Sequence, residues 1–255
     1  MAIPQYPKKY DQEVIISPRQ HFLAEKEHYE DFDVPKSVIL CFESSLMNHF
    51  KARGEMESIP FWTGEMLYFP EHHKQVALVG NFGIGGPAAG QMLEILIAAG
   101  VEEFVVVGHA GGLQKSNSIG TIVLSNKAVR DEGLSHHYLK PEKYACPSPQ
   151  LTDRLKKKLT ESDVPFQTGG SWTIDSMYRE TKDEIRHYAE EGIATVEMEL
   201  ASLFAVASFR KVNIAALLVI SDYVSFEHWD QHFHANATFE ALMKATATAK
   251  DTLIS

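Results

Sequence analysis

The chain has 255 residues, 44% of them hydrophobic and 23% charged, with a formal net charge of -10. This composition is that of an ordinary globular protein, long enough to bury a substantial core. The acidic balance excludes nucleic acid and anionic membranes as main partners, and the longest apolar runs, such as "IAALLVI", are too short to span a bilayer. Cys41 and Cys146 form neither a metal-type spacing nor a disulfide framework. The amino terminus, "MAIPQYPKKYDQE", lacks the apolar segment of a secretory signal, so a cytoplasmic protein is expected.

In chain order, residues 1–36 are polar and proline-punctuated, which predicts an N-terminal arm. No repeat or flexible linker follows, which predicts one domain over 37–255. "SVILCFE" reads as a core strand. "QVALVGNFGIGGPAAGQMLEILIAAG" reads as strand, glycine turn and helix, with Pro87 in the helix's first turn and Gly100 closing it. "EEFVVVGHAGGLQ" and "GTIVLSNKAVRDEG" predict two more strands, and "SPQLTDRLKKKLTESD" an amphipathic surface helix. "ELASLFAVASFRK" predicts a buried helix, "NIAALLVISDY" a strand, and the chain closes with a helix from about Asn236. Continuously apolar strands alternating with helices imply an α/β fold, a three-layer domain whose sheet is covered on both faces. Ligands in such folds sit where loops leave the carboxyl ends of strands. Those exits carry Glu43, Gly83 to Pro87, Gly108 to Gly112, and Ser221 with Asp222.

Several of these exits have more than one reading. Gly83, Gly85 and Ala88 fit a dinucleotide fingerprint, but the next strand ends in Gly108-His109 instead of the acid that would hold a ribose, so NAD binding is excluded. The glycines make a tight turn, and those before a helix also expose N–H groups to an anion, which makes Gly83, Gly85, Gly86 and Gly108 candidates for an anion or nucleophile loop. His228, His232, His234 and Asp230 lie close together without a matching metal-ligand pattern, and read as a polar surface helix or loop with no metal. Asp222 either caps the next helix or, in a cleft, serves as a general acid. In "ATVEMELASLFAVASF", Glu197 and Glu199 stand within an apolar run, where a carboxylate is costly unless partnered. A helix starting here would ease their burial through its free N–H groups. One carboxylate then caps while the other is solvated, or one accepts from a pair of hydroxyls such as a ribose diol.

"TVEMELASLFAVA" resembles the V-E-M-E signature of the nucleoside phosphorylase-I family, which includes purine nucleoside phosphorylases, uridine phosphorylases and methylthioadenosine/adenosylhomocysteine nucleosidases. The likeness continues through "GIGGPAAGQMLEILIAAGVEEFVVVGHAGGLQ", "AVRDEGLSHHYL", "TIDSMYRET" and "VISDY", covering roughly residues 76–224. It implies a single domain with a mixed central sheet flanked by helices, acting on the N-glycosidic bond of a nucleoside. It gives Glu199 the ribose hydroxyls, Met198 the sugar's apolar face, and His109 a place beside ribose and nucleophile. Met177, Val196 and Ser221 fall beside the base, and Asp222 matches the aspartate that protonates a purine leaving base.

The departures decide the expected reaction. Val106 and Leu46 stand where the phosphorylases carry phosphate-binding arginines, and Arg53 is the one weak substitute. Glu43 falls near the glutamate with which hydrolytic members activate water. The expectation is therefore a nucleosidase without cofactor, with phosphorolysis by an atypical phosphate site as the first alternative and a non-catalytic nucleoside-binding or storage protein as the second. Inorganic phosphate would be a co-substrate in the first alternative. The resemblance further implies a homo-oligomer, a dimer or a trimer of dimers, in which a histidine of the neighbour reaches the ribose; His21 lies in the arm that would supply it.

Overall fold

The computed structural model describes residues 4, 6, 8–26, 32–54, 56–70, 74–114, 117–225 and 227–255. In chain order the first half comprises α1 (Pro18–Lys26), β1 (Ser37–Cys41), α2 (Ser44–Arg53), β2 (Glu57–Phe61), β3 (Gly64–Tyr68), β4 (Val76–Gly80), α3 (Gly86–Ala99) and β5 (Glu103–Gly112). The second half comprises β6 (Ile122–Asp131), β7 (Tyr144–Ala145), α4 (Pro149–Glu161), β8 (Phe166–Ile174), α5 (Lys182–Glu190), β9 (Ile193–Glu197), α6 (Leu200–Arg210), β10 (Asn213–Val224), β11 (Trp229–Gln231) and α7 (Asn236–Ile254). Among the described residues no helix is long and apolar enough to cross a membrane.

The strands form one mixed 11-stranded sheet. β1 runs parallel to both β4 and β5, and β5 runs parallel to β10. Their side chains are buried almost throughout because helices cover both faces: α1, α3 and α6 on one side, α2, α4 and α7 on the other. β1 is buried at every position, so its sequence shows no alternation. In α4, Leu151, Leu155 and Leu159 recur every four residues and form the single apolar stripe that seats the helix on the sheet. Within the expected arm, α1 sets Phe22 into the core beside α3.

The sheet is not simply open. β10 pairs with β5 and β6, β6 with β8, β8 with β9, and β9 returns to β5, which closes a circuit of strands. At the junction Gly111 pairs with both Val196 of β9 and Asp222 of β10. A Cβ at Gly111 would lie 2.7 Å from Val224 Cγ2, 3.0 Å from Val196 Cγ1 and 3.3 Å from Asp222 Oδ2. Glycine is therefore required by space, and Gly111→Ala is expected to cost roughly 1–3 kcal/mol as the strands are forced apart. A shift of the urea midpoint measures this, and an unchanged midpoint would contradict the close approach.

The predicted strands and helices are all present. Several further elements lacked a readable signal. The β2–β3 hairpin turns through Trp62 at φ 54°, without the Asn-Gly pair that usually marks such turns. Pro60 argues against a strand, yet β2 is the sheet's edge, where a missing donor costs nothing. β8 carries Gly169 and Gly170 in mid-strand, where a Cβ on Gly169 would lie 2.5 Å from Ala194 Cβ. Close packing there removed the side chains that would have shown the strand's period.

Candidate active site

A cavity of about 830 Å³ opens at the carboxyl ends of β1, β5, β9 and β10. Glu43, His109, Met177, Val196, Met198, Glu199, Ser221 and Asp222 all line it, so nearly every residue expected at the site is gathered in one place. The exceptions are the glycines: Gly83, Gly85, Gly86 and Gly108 are not in the lining, where Ile84 alone represents that turn. Within the expected anion loop, Gly85 has a different task. The buried Gly85 N–H donates to Glu199 Oε1 at 2.6 Å and is unavailable to a ligand. Gly86 serves packing, since a Cβ there would lie 2.4 Å from Ser202 Oγ on α6.

The two glutamates divide as their surroundings dictate. β9 ends at Glu197, and Glu199 is the N-cap of α6. Glu197 Oε1 accepts from Ser171 Oγ at 3.0 Å and Thr173 Oγ1 at 2.5 Å, while Oε2 accepts from the N–H groups of Glu199 and Leu200, each at 2.7 Å. Its acceptor capacity is filled by the fold itself, at the positive end of a helix. Among the described residues Glu199 accepts only from Gly85 N–H and, at 3.2 Å, from Met198 N–H, and it lines the cavity. Burial raises the pKa of both carboxyls, and for Glu199 the charge of Glu197 adds to it, up to about 8. Four donors oppose that rise at Glu197 and two at Glu199, so Glu197 keeps its charge the better of the pair.

Parallel register brings the next pair together. Cys41 of β1 lies opposite Val107 of β5, so the chain two residues on sets Glu43 beside His109. Glu43 Oε1 lies 3.0 Å from His109 Nδ1 and accepts from the His109 backbone N–H at 3.4 Å. This contact orients the imidazole and leaves Glu43 Oε2 without a partner among the described residues. His109 Nε2 is buried and likewise unpartnered among them.

At the other end, Ser221 is the extra residue of a β-bulge in β10, which turns Asp222 to meet Gly111. Asp222 Oδ1 accepts from Ser221 Oγ at 2.7 Å and Oδ2 from Trp229 Nε1 at 2.7 Å. Trp229 was hidden in the histidine-rich segment. That segment is the short strand β11, which folds back antiparallel on β10 and so delivers the indole; His228 and His234 also line the cavity, and His232 pairs with Asp230. Glu180, just beyond Met177–Arg179, is a further acid in the lining that the sequence did not distinguish. Its carboxyl is pushed up to about 7 by burial, then by the charges of Asp222 and Glu184.

The remaining expectations fall outside the cavity. Val106 and Leu46 are fully buried core residues. Arg53 is exposed at the carboxyl end of α2 and is not in the lining. His21 stands on α1 with its ring edge-on to Trp62 at 4.8 Å.

The family model described as "Phosphorylase superfamily" matches residues 39–253. The chain belongs to the phosphorylase superfamily. Its relatives here are enzymes that cleave N-glycosidic bonds. It is 28% identical over 138 residues to a guanosine phosphorylase of Halorubrum lacusprofundi, covering 54% of this chain and 57% of that one. It is 32% identical over 153 residues to a uridine phosphorylase of Treponema pallidum, covering 56% of this chain and 59% of the relative. Both alignments span less than two thirds of the relatives' own lengths. The superfamily fold is also that of a crystal structure of AMP nucleosidase from Bacteroides thetaiotaomicron, with a TM-score of 0.75 at 21% identity over 92% of this chain and 98% of that chain.

Proposed function

We propose that this protein cleaves the N-glycosidic bond of a nucleoside with a purine-like base, by hydrolysis. The observation that carries the reading is that one cavity holds Glu199 with Met198, the Glu43–His109 pair, and Asp222 with Glu180. Glu199, whose fold-supplied donors are few, accepts from the ribose diol, and Met198 covers the sugar's apolar face. Met177, Val196 and Ser221 border the base, and Asp222 assists its departure as part of an acid pair with Glu180. As the C1′–N bond opens, positive charge grows on the sugar; Glu43, steadied by His109, takes the proton of the water that attacks C1′.

Water is favoured over phosphate because Val106 and Leu46, at the places of the expected arginines, are uncharged and fully buried. A phosphate dianion bound without such a fork would lack its strongest contacts. Phosphorolysis is the second reading, favoured by the names of the sequence relatives. Chromatography of a nucleoside panel incubated with and without phosphate separates the two. Equal base release with free ribose is the expected result; release only with phosphate, as ribose 1-phosphate, would overturn hydrolysis. Glu43→Gln is expected to lower kcat about 10²-fold with little change in KM, as for loss of a general base. An unchanged kcat would remove Glu43 from the mechanism.

A further inference from the structure

Asp222 and Glu180 lie in the same cavity but in opposite circumstances. Both oxygens of Asp222 are occupied by donors, the Ser221 hydroxyl and the Trp229 indole N–H, each at 2.7 Å. Neither donor can accept a proton back along that bond without turning away, and the indole N–H can never accept. With one donor on each oxygen, the Asp222 carboxyl is held in a single orientation in the lining. Glu180 is half-buried in the lining, and its side chain makes no hydrogen bond or ion pair among the described residues. A carboxyl without donors, beside a fixed negative charge, is more stable with its proton on. Two acids whose environments differ in this way divide the roles of charge and proton donor.

We propose that Glu180 holds the proton that passes to the departing base, and that Asp222, clamped by Ser221 and Trp229, is the fixed carboxylate beside it. This rests on the nucleoside-cleaving reading of the site. The C1′–N electron pair goes to the base, whose nitrogen takes the Glu180 proton. C1′ gains a bond to the water oxygen, the water's proton passes to Glu43, and exchange with solvent restores both acids. Trp229 is on this account a positioning residue, acting through Asp222.

The groups facing Glu180 are known. Burial first, then the charges of Asp222 of β10 and Glu184 of α5, raise its pKa to about 7; Lys182 of α5, and Glu227 and His228 of the β10–β11 hairpin, also line the cavity, as do Glu43, Glu197 and Glu199. Proton donation then requires that kcat/KM, which reports the groups of the free protein, fall as pH rises through about 7. Removing the Asp222 charge should move that fall to lower pH.

The test compares the unaltered protein with Glu180→Gln and Asp222→Asn on two substrates. One is the purine nucleoside cleaved best in the panel. The other is a nitrophenyl riboside, whose leaving group departs as an anion and needs no acid. Glu180→Gln is expected to lose about 10²-fold or more in kcat on the nucleoside, and its high-pH fall, while cleaving the nitrophenyl riboside at nearly the unaltered rate. Asp222→Asn is expected to shift the fall downward, and Trp229→Phe to shift it the same way by releasing Asp222. Equal losses on both substrates, or an undiminished rate with the nucleoside, would overturn the assignment to Glu180 alone. No base release by the unaltered protein would overturn the nucleoside reading and this assignment with it.

Discussion

Glu199→Ala is expected to lower kcat/KM for a nucleoside on the order of 10²–10⁴-fold, because two hydrogen bonds to a charged acceptor, at roughly 1.5–3 kcal/mol each, would go unmade. The side chain has two fold-supplied donors, Gly85 N–H and Met198 N–H, and therefore capacity left for a diol. A 2′,3′-dideoxynucleoside should lose a comparable factor with the unaltered protein and little more with the variant. Full additivity of the two losses would separate Glu199 from the sugar hydroxyls. The same carboxyl gives a pH signature. In the free protein its pKa is raised from the ordinary 4.5 to about 8 by burial and by Glu197. Between those values the folded chain holds a proton that the unfolded chain has lost, so stability falls as pH rises, by at most ~1.4 kcal/mol per pH unit. Glu199→Gln should reduce that slope by this carboxyl's share, leaving the part due to Glu197 and Glu180. Hydroxyl donors favour the ionised form, so nucleoside binding should release protons near neutral pH, which calorimetry in two buffers of different ionisation enthalpy would detect.

The largest loss of stability is expected at Glu197. Glu197→Ala would leave the hydroxyls of Ser171 and Thr173 and the N–H groups of Glu199 and Leu200 without their acceptor. Breaking a buried, fully engaged charged group costs roughly 3–5 kcal/mol, a large share of the ~5–15 kcal/mol that holds a domain folded. Chemical denaturation would show the midpoint moving strongly downward. Glu197→Gln should be milder yet still costly, because its NH₂ group would face donors where an oxygen now accepts. A loss confined to activity, with stability intact, would mean that Glu197 acts on the ligand and not on the α6 start. Thus two glutamates separated by one residue are expected to fail in different ways, one in the chemistry and one in the fold.

The sequence determined the layered α/β class, the strands with continuous apolar character, the helix begun by Pro87 and closed by Gly100, and most of the residues gathered around the cavity. The elements, the strand-exit residues and the two glutamates are carried by local pattern: strand runs, turn residues, and carboxylates standing in an apolar stretch; Met177, Val196 and Met198 are placed only by the family resemblance. Tertiary structure alone decided how those residues pair. Glu43 meets His109 through parallel register across 66 positions, and Gly85 is committed to Glu199 across 114. The closure of strands on Gly111, the bulge at Ser221, and the return of Trp229 onto Asp222 have no counterpart in local periodicity. Glu180 could not be recognised from "MYRET", because what sets it apart is its surroundings: burial and the charges of Asp222 and Glu184. Residue types fix which chemistry is possible, but hydrogen bonds and fields depend on distances across the chain, and only the fold sets those.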